Sequence, residues 1–142
     1  MISLVYFIQG KFFVLKFAMV YDKIFRTKMH TYRRKVYEDI IPQVVNEWKE
    51  ISQQYKIDYF PHASIGWDNN PRFKNYRKPV VTNNTPENFQ KVLEEAKKYA
   101  DENNVSLITV NSWNEWTETS YLEPDNLYGY GYLEAIKNVF KK

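Results

Sequence analysis

Apolar residues in segment 34–56 (RKVYEDIIPQVVNEWKEISQQYK) recur every three or four positions, at Val36, Ile40, Val44, Val45, Trp48 and Ile51. That spacing predicts an amphipathic helix. Pro42 falls within it and either kinks the helix or marks its true start. A short strand is expected at Ile57–Phe60, followed by a loop of special residues, HASIGWDNNPRF, and a β-branched strand at Pro79–Thr82. Thr85, Pro86 and Glu87 then read as the cap, first residue and acidic first turn of a helix. Its apolar face is Phe89, Val92, Leu93, Ala96, Tyr99 and Ala100. Val105–Val110 is a near-continuous apolar run, expected to be a strand buried on both faces. A final helix is expected over Tyr132–Phe140.

Strands alternating with helices predict an α/β fold with parallel strands. Polar and aromatic residues gather directly after the expected strand ends, in HASIGWDNNPRF and in NSWNEWTETSYLEPDNLYGYG. In α/β folds the chemistry sits at the carboxyl ends of strands.

Composition narrows this picture. The chain has 142 residues, 44% hydrophobic and 26% charged, which suits one globular unit and excludes a disordered or fibrous chain. Aromatic residues reach 18%, with 12 Tyr, 9 Phe and 4 Trp, more than a core of this size absorbs. Some should face a cleft. The absence of cysteine excludes thiolate nucleophiles, disulfides and cysteine metal sites. Net charge is +3, with ten Lys/Arg against six Asp/Glu in residues 1–60 and ten against eleven thereafter. The densest cluster, Arg33, Arg34 and Lys35, is followed by acids on the same expected helix. It reads as a solvated face, and no nucleic-acid motif accompanies it. The apolar amino end is interrupted by Gly10, Lys11 and Lys16, too broken to span a bilayer, and no basic residue precedes it as in a secretory signal. The expected location is therefore cytoplasmic. His30 and His62 lack partners at ligand spacing, so no metal is expected, and no cofactor motif is present.

The sharpest chemical feature is Asn111-Ser-Trp-Asn-Glu-Trp-Thr-Glu118. In a helical turn, Glu115 and Glu118 would share a face with β-carbons about 5–6 Å apart. Retaining glycosidases need two carboxyl groups about 5–5.5 Å apart, one of them protonated. Close carboxylates resist joint ionisation, which separates an acid from a base, although spacing does not say which is which. Trp113 and Trp116 offer flat faces for sugar rings, and Asn111 and Asn114 offer hydroxyl partners. Two acids on a loop can equally be merely solvated.

The segment ITVNSWNEWTETSYLEPDNLYGYGYLEAIKNVF resembles the carboxyl-terminal signature of the WbsX-like polysaccharide-biosynthesis proteins, which carry a domain similar to glycoside hydrolase family 99. YFPHASIGWDNNPRF and PVVTNNTPENFQKVLEEAK agree with the same family in the same order, so the resemblance covers roughly residues 55–142. It implies the carboxyl-terminal portion of a (β/α)8 TIM barrel acting on an oligo- or polysaccharide. In family 99 proper, an endo-α-mannosidase family, the comparable motif is Asn-Glu-Trp-His-Glu. By that likeness Glu118 is the general acid at the glycosidic oxygen. Glu115 is a base on the sugar 2-hydroxyl, which attacks the anomeric carbon from within the substrate, with retention. Thr117 stands where family 99 has His, so the mannoside substrate does not carry over. WbsX-like proteins are also described as glycosyltransferases, a competing implication.

The resemblance also draws attention to Trp67, Asp68 and Arg72 as sugar contacts, against a structural Asp–Arg pairing. His62 could bind a hydroxyl or sit satisfied in the core. Glu123 could bind a ligand or, with Asp125, cap the last helix, while Tyr121 and Tyr128 could line the cleft or pack. A complete barrel needs about 250 residues, so 142 leave it incomplete as a single chain. The expectation is one unit, with residues 1–54 an apolar segment and helix and 55–142 the βα units. Self-association or a second chain would complete the cleft, and a truncated non-catalytic carbohydrate-binding remnant is the other outcome.

Overall fold

The computed structural model describes residues 34–75 and 80–141. The readings made above for the amino-terminal segment and for His30 and Arg33 lie outside those residues. The order is β1 (Arg34–Val36), α1 (Tyr37–Tyr55), β2 (His62–Ser64), β3 (Val80–Thr82), α2 (Pro86–Asn103), β4 (Thr109–Asn111), β5 (Asn114–Glu115), β6 (Ser120–Tyr121) and α3 (Gly131–Phe140). Short 3-10 turns occupy Asn70–Arg72 and Trp116–Glu118. The architecture is mixed α/β.

The unit that positions the site is β2–α2–β4. β2 and β4 pair in parallel with His62 opposite Thr109 and Ser64 opposite Asn111, and the connection between them runs through β3 and α2. α2 forms where its cap and pattern place it. Thr85 Oγ1 accepts from Asn88 N, Pro86 occupies the first turn, and the six expected core residues are all buried. α1 packs on α2 through Trp48, whose ring meets Tyr99 edge-on at 5.7 Å. α3 packs on α2 from another direction, with Phe89 and Tyr132 edge-to-face at 5.7 Å and Tyr132 Oη donating to Asn84 O at 2.6 Å. A β-carbon on Gly131 would lie 2.8 Å from Pro86 Cγ, so glycine permits the close approach of the two helix starts.

Several expectations need correction. The helix begins at Tyr37, and Arg34 and Lys35 lie in β1, paired with Val80 and Val81, rather than on a helical face. Pro42 lies within α1, which continues past it to Tyr55. The strand expected at Ile57–Phe60 lies instead at His62–Ser64, because the buried positions are Pro61, Ala63 and Ile65, while Ile57 and Phe60 are exposed. The run at 105–110 is a strand only from Thr109, and it is not buried on both faces. Leu107 is 51% exposed and Thr109 is exposed, because β4 pairs with β2 alone among the described residues. β3 joins β1, outside the β2–β4 pair, and touches the segment after β2 through Val81 N donating to Trp67 O at 2.9 Å. Among the described residues no helix is long and apolar enough to cross a membrane.

Candidate functional site

Two loops leave the carboxyl ends of β2 and β4 and meet. The first runs from Ile65 through the turn at Asn70–Arg72. The second folds as a hairpin: β5 and β6 pair antiparallel, with Asn114 opposite Tyr121 and Glu115 opposite Ser120. Its tip is the turn Trp116–Glu118, closed by Thr119 in the left-handed region (φ 51) with its N–H on Trp116 O. Ser112 Oγ donates to Ser120 O at 2.9 Å, and Trp113 O accepts from both Leu122 N and Glu123 N. The Asn111–Ser112 peptide at the hairpin base is cis.

The acids do not stand alone. Arg72 Nη1 lies 2.8 Å from Glu118 Oε1, its Nη2 lies 3.3 Å from Glu115 Oε2, and its Nε donates to Thr117 Oγ1 at 2.8 Å. One guanidinium therefore spans both carboxylates. Glu118 is the sheltered member, with 17% of its side chain exposed against 51% for Glu115. The backbones are tied as well: Asp68 N donates to Glu118 O at 2.8 Å and Thr119 Oγ1 donates to Asp68 O at 3.2 Å. Asp68 does not pair with Arg72; its Oδ1 accepts from Asn70 N at 2.8 Å. Of the two alternatives for Asp68 and Arg72, the structural Asp–Arg pairing is absent, and Arg72 pairs with Glu115 and Glu118 instead.

The remaining candidates fall into two groups. Trp116 stacks on Tyr121 with ring centroids 3.8 Å apart, and its Nε1 donates to Glu123 Oε2 at 2.6 Å. Tyr121 Oη donates to Asp125 Oδ2 at 2.8 Å; burial and this hydrogen bond push its hydroxyl up to about 12. Asp125 also accepts from Leu127 N and Tyr128 N, so it caps a turn, and those bonds hold its carboxyl below the usual range against the opposing effect of burial. Glu123 takes no part in that turn. Trp113 and Asn114 are exposed on the hairpin, and Asn111, at the end of β4, has a buried Oδ1 that takes no hydrogen bond from the described residues. Tyr128 packs edge-on against Tyr132 at 5.6 Å. His62 and Trp67 line a cavity of about 260 Å³ walled by α1 residues Tyr37, Ile40, Val44 and Trp48, and His62 Nδ1 lies 2.8 Å from Thr109 Oγ1. Among the described residues no three His, Asp or Glu side chains converge as a metal-holding group.

Thr117 and Thr119 carry contacts that the sequence reading did not assign. Thr117 could have been suspected from its departure from the family 99 motif. Nothing local marks Thr119, whose role depends on Asp68, 51 positions away.

An open pair of parallel strands with its polar residues gathered at their carboxyl ends makes this an α/β domain with its candidate site on the loop edge. The chain belongs to the family described as glycosyltransferase WbsX, which matches residues 9–136. It is also similar to two proteins named "uncharacterized protein WxcX", from Xanthomonas campestris pv. campestris strains B100 and ATCC 33913. Each is 28% identical over 107 residues, covering 69% of this chain and 15% of the relative. The chain thus spans less than a fifth of the length of the curated relatives it matches. No solved structure matches it.

Proposed function

We propose that this chain forms the acid-bearing wall of a glycan-active site working in polysaccharide biosynthesis. The observation that carries the reading is the convergence of Glu115, Glu118 and Arg72 at the meeting point of the two loops, beside the exposed indoles of Trp113 and Trp116. Carboxylates do the proton work at a glycosidic bond, and indole faces receive the apolar side of a pyranose ring. In this reading β2–α2–β4–α3 are two consecutive units of a (β/α)8 barrel, within a single unit whose βα part runs over 55–142. The opposite wall of the cleft comes from further barrel units, on this polypeptide or on a second one.

The chemistry we favour is retaining. Glu118, the sheltered acid, gives its proton to the glycosidic oxygen as that bond breaks. Glu115 takes the proton of the sugar 2-hydroxyl, whose oxygen bonds to the anomeric carbon. Water, or an acceptor hydroxyl, then opens that three-membered ring from the other face, losing its proton to Glu118 while Glu115 returns a proton to the 2-oxygen. An acid that donates a proton cannot at that moment be held in an ion pair, so Arg72 must release Glu118 when substrate enters. Asn111 and Asn114 suit sugar hydroxyls, and Asp68 lies on the loop tied to Glu118, whereas His62 and Trp67 face the cavity beside α1.

A second reading, sugar transfer to a glycan acceptor, is favoured by the description of the family itself. Incubating the full chain with glycans, with and without activated sugar donors, and weighing the products separates the two. Hydrolysis gives shortened chains carrying one added water; transfer gives lengthened acceptors. If no glycan changes in mass under either condition, the reading fails.

A further inference from the structure

Trp116 is held on two sides. One face is covered by Tyr121, nearly parallel at 17° with centroids 3.8 Å apart, and the pyrrole edge is tethered by Nε1 donating to Glu123 Oε2 at 2.6 Å. A hydrogen bond to a carboxylate is shorter and roughly twice as strong as a neutral one. Tyr121 is itself fixed: its hydroxyl donates to Asp125, whose other oxygen accepts from two backbone N–H groups of the following turn. Trp116 nevertheless remains 44% exposed. A large apolar ring at the tip of an exposed hairpin, braced by polar partners that could otherwise be solvated, has the properties of a rigid contact surface. A side chain already held in place loses less freedom when a ligand lands on it.

We propose that Trp116 is the sugar-stacking platform of this site, and that Tyr121 and Glu123 are positioning residues that hold the indole rather than contacts to the sugar. The proposal rests on the glycan reading above and assigns its substrate contact: the apolar C–H face of a pyranose in the residue next to the bond that Glu115 and Glu118 work on. Glu123 has its carboxylate turned to the indole, which leaves it poorly placed to serve sugar hydroxyls at the same time.

The test uses the full chain with ¹⁵N-labelled tryptophan and two neutral probes, α-mannotetraose and cellotetraose, titrated while the indole N–H resonances are followed. The wild type binds at least one probe with a shift of the Trp116 signal. Trp116→Ala weakens binding about tenfold or more, as expected for truncating an anchor. Glu123→Ala and Tyr121→Ala each weaken it roughly three- to tenfold, the range for releasing one held side chain. Glu123→Gln, whose amide oxygen still accepts from Nε1, stays within about twofold, and Tyr121→Phe, which keeps the stack but frees the ring from Asp125, falls between wild type and Tyr121→Ala. The double variant Trp116→Ala/Glu123→Ala binds no more weakly than Trp116→Ala alone.

Full additivity in that double variant would mean Glu123 touches the sugar itself, and would overturn the positioning role. Unchanged binding by Trp116→Ala overturns the platform while leaving the glycan reading in place. Binding of neither probe by the wild type removes the glycan reading and the platform with it. Without any ligand, a Trp116 indole resonance that does not move in Glu123→Ala overturns the tether.

Discussion

Gly66→Ala should be among the costlier single changes in this chain, and it should reach the site. Gly66 is buried at φ +145, a backbone conformation that side-chain-bearing residues rarely adopt. A β-carbon there would meet Asn84 at 2.5 Å from Nδ2, 2.9 Å from Cγ and 3.1 Å from Cβ. Asn84 cannot simply withdraw its backbone, because its carbonyl accepts from Tyr132 Oη. Strain of this kind costs about 1–3 kcal/mol, and forcing extra volume into a packed position costs about 1–3 kcal/mol. With partial relief by rotation of the Asn84 side chain, a total of about 2–4 kcal/mol follows. Urea unfolding should show a lower midpoint at unchanged slope, and Tm should fall by roughly 5–15 °C. Because Gly66 leads directly into Trp67 and Asp68, the Asp68–Glu118 backbone bond should loosen and oligosaccharide affinity should drop beyond the stability effect. A loss under about 0.5 kcal/mol would refute the strain argument. A full loss of stability with unchanged affinity would refute the coupling of the two loops.

Three further outcomes are expected. Phe89→Ala removes a fully buried ring that also meets Tyr132 edge-on, and should cost about 3–5 kcal/mol by denaturant unfolding; under about 1.5 kcal/mol would contradict the core described here. Burial raises the hydroxyls of Tyr37 and Tyr132, and burial with the Asp125 hydrogen bond raises that of Tyr121, all above the ordinary 10.0. The unfolded chain therefore loses those protons first, so the stability these tyrosines contribute should be level below pH 10 and fall as pH rises above it; a flat profile from pH 9 to 12 would contradict this. Arg72→Gln should cost no more than about 1 kcal/mol of stability, since its pairs are partly exposed and the loops stay tied through Asp68, yet turnover should change, because one guanidinium holds both carboxylates. Turnover equal to wild type would remove Arg72 from the site.

Local signals proved legible where one segment determines its own state. Thr85-Pro86-Glu87 marks the start of α2 because the cap and first turn are local interactions, and the apolar face of α2 is buried as its 3.6-residue period requires. Glu115 and Glu118 are visible as a pair because Glu118 ends the short turn that directly follows Glu115. What the sequence hides depends on distant partners. Arg72 reaches Glu115 across 43 positions, and no local pattern marks it as the residue between the acids. The strand positions shift for a related reason. Which residues of 57–65 or 105–111 pair depends on the register between β2 and β4, and the apolar runs exceed the paired segments on both. Pairing of β1 with β3, rather than of neighbours in sequence, is likewise a tertiary outcome.

The most direct test of the account is the rate at which the full chain processes a glycan that it turns over, measured for wild type and Glu118→Gln under identical conditions, with folding checked by circular dichroism. The amide, which has no acidic proton to give the glycosidic oxygen, should abolish turnover while the fold is retained. Turnover by Glu118→Gln equal to that of wild type would contradict it.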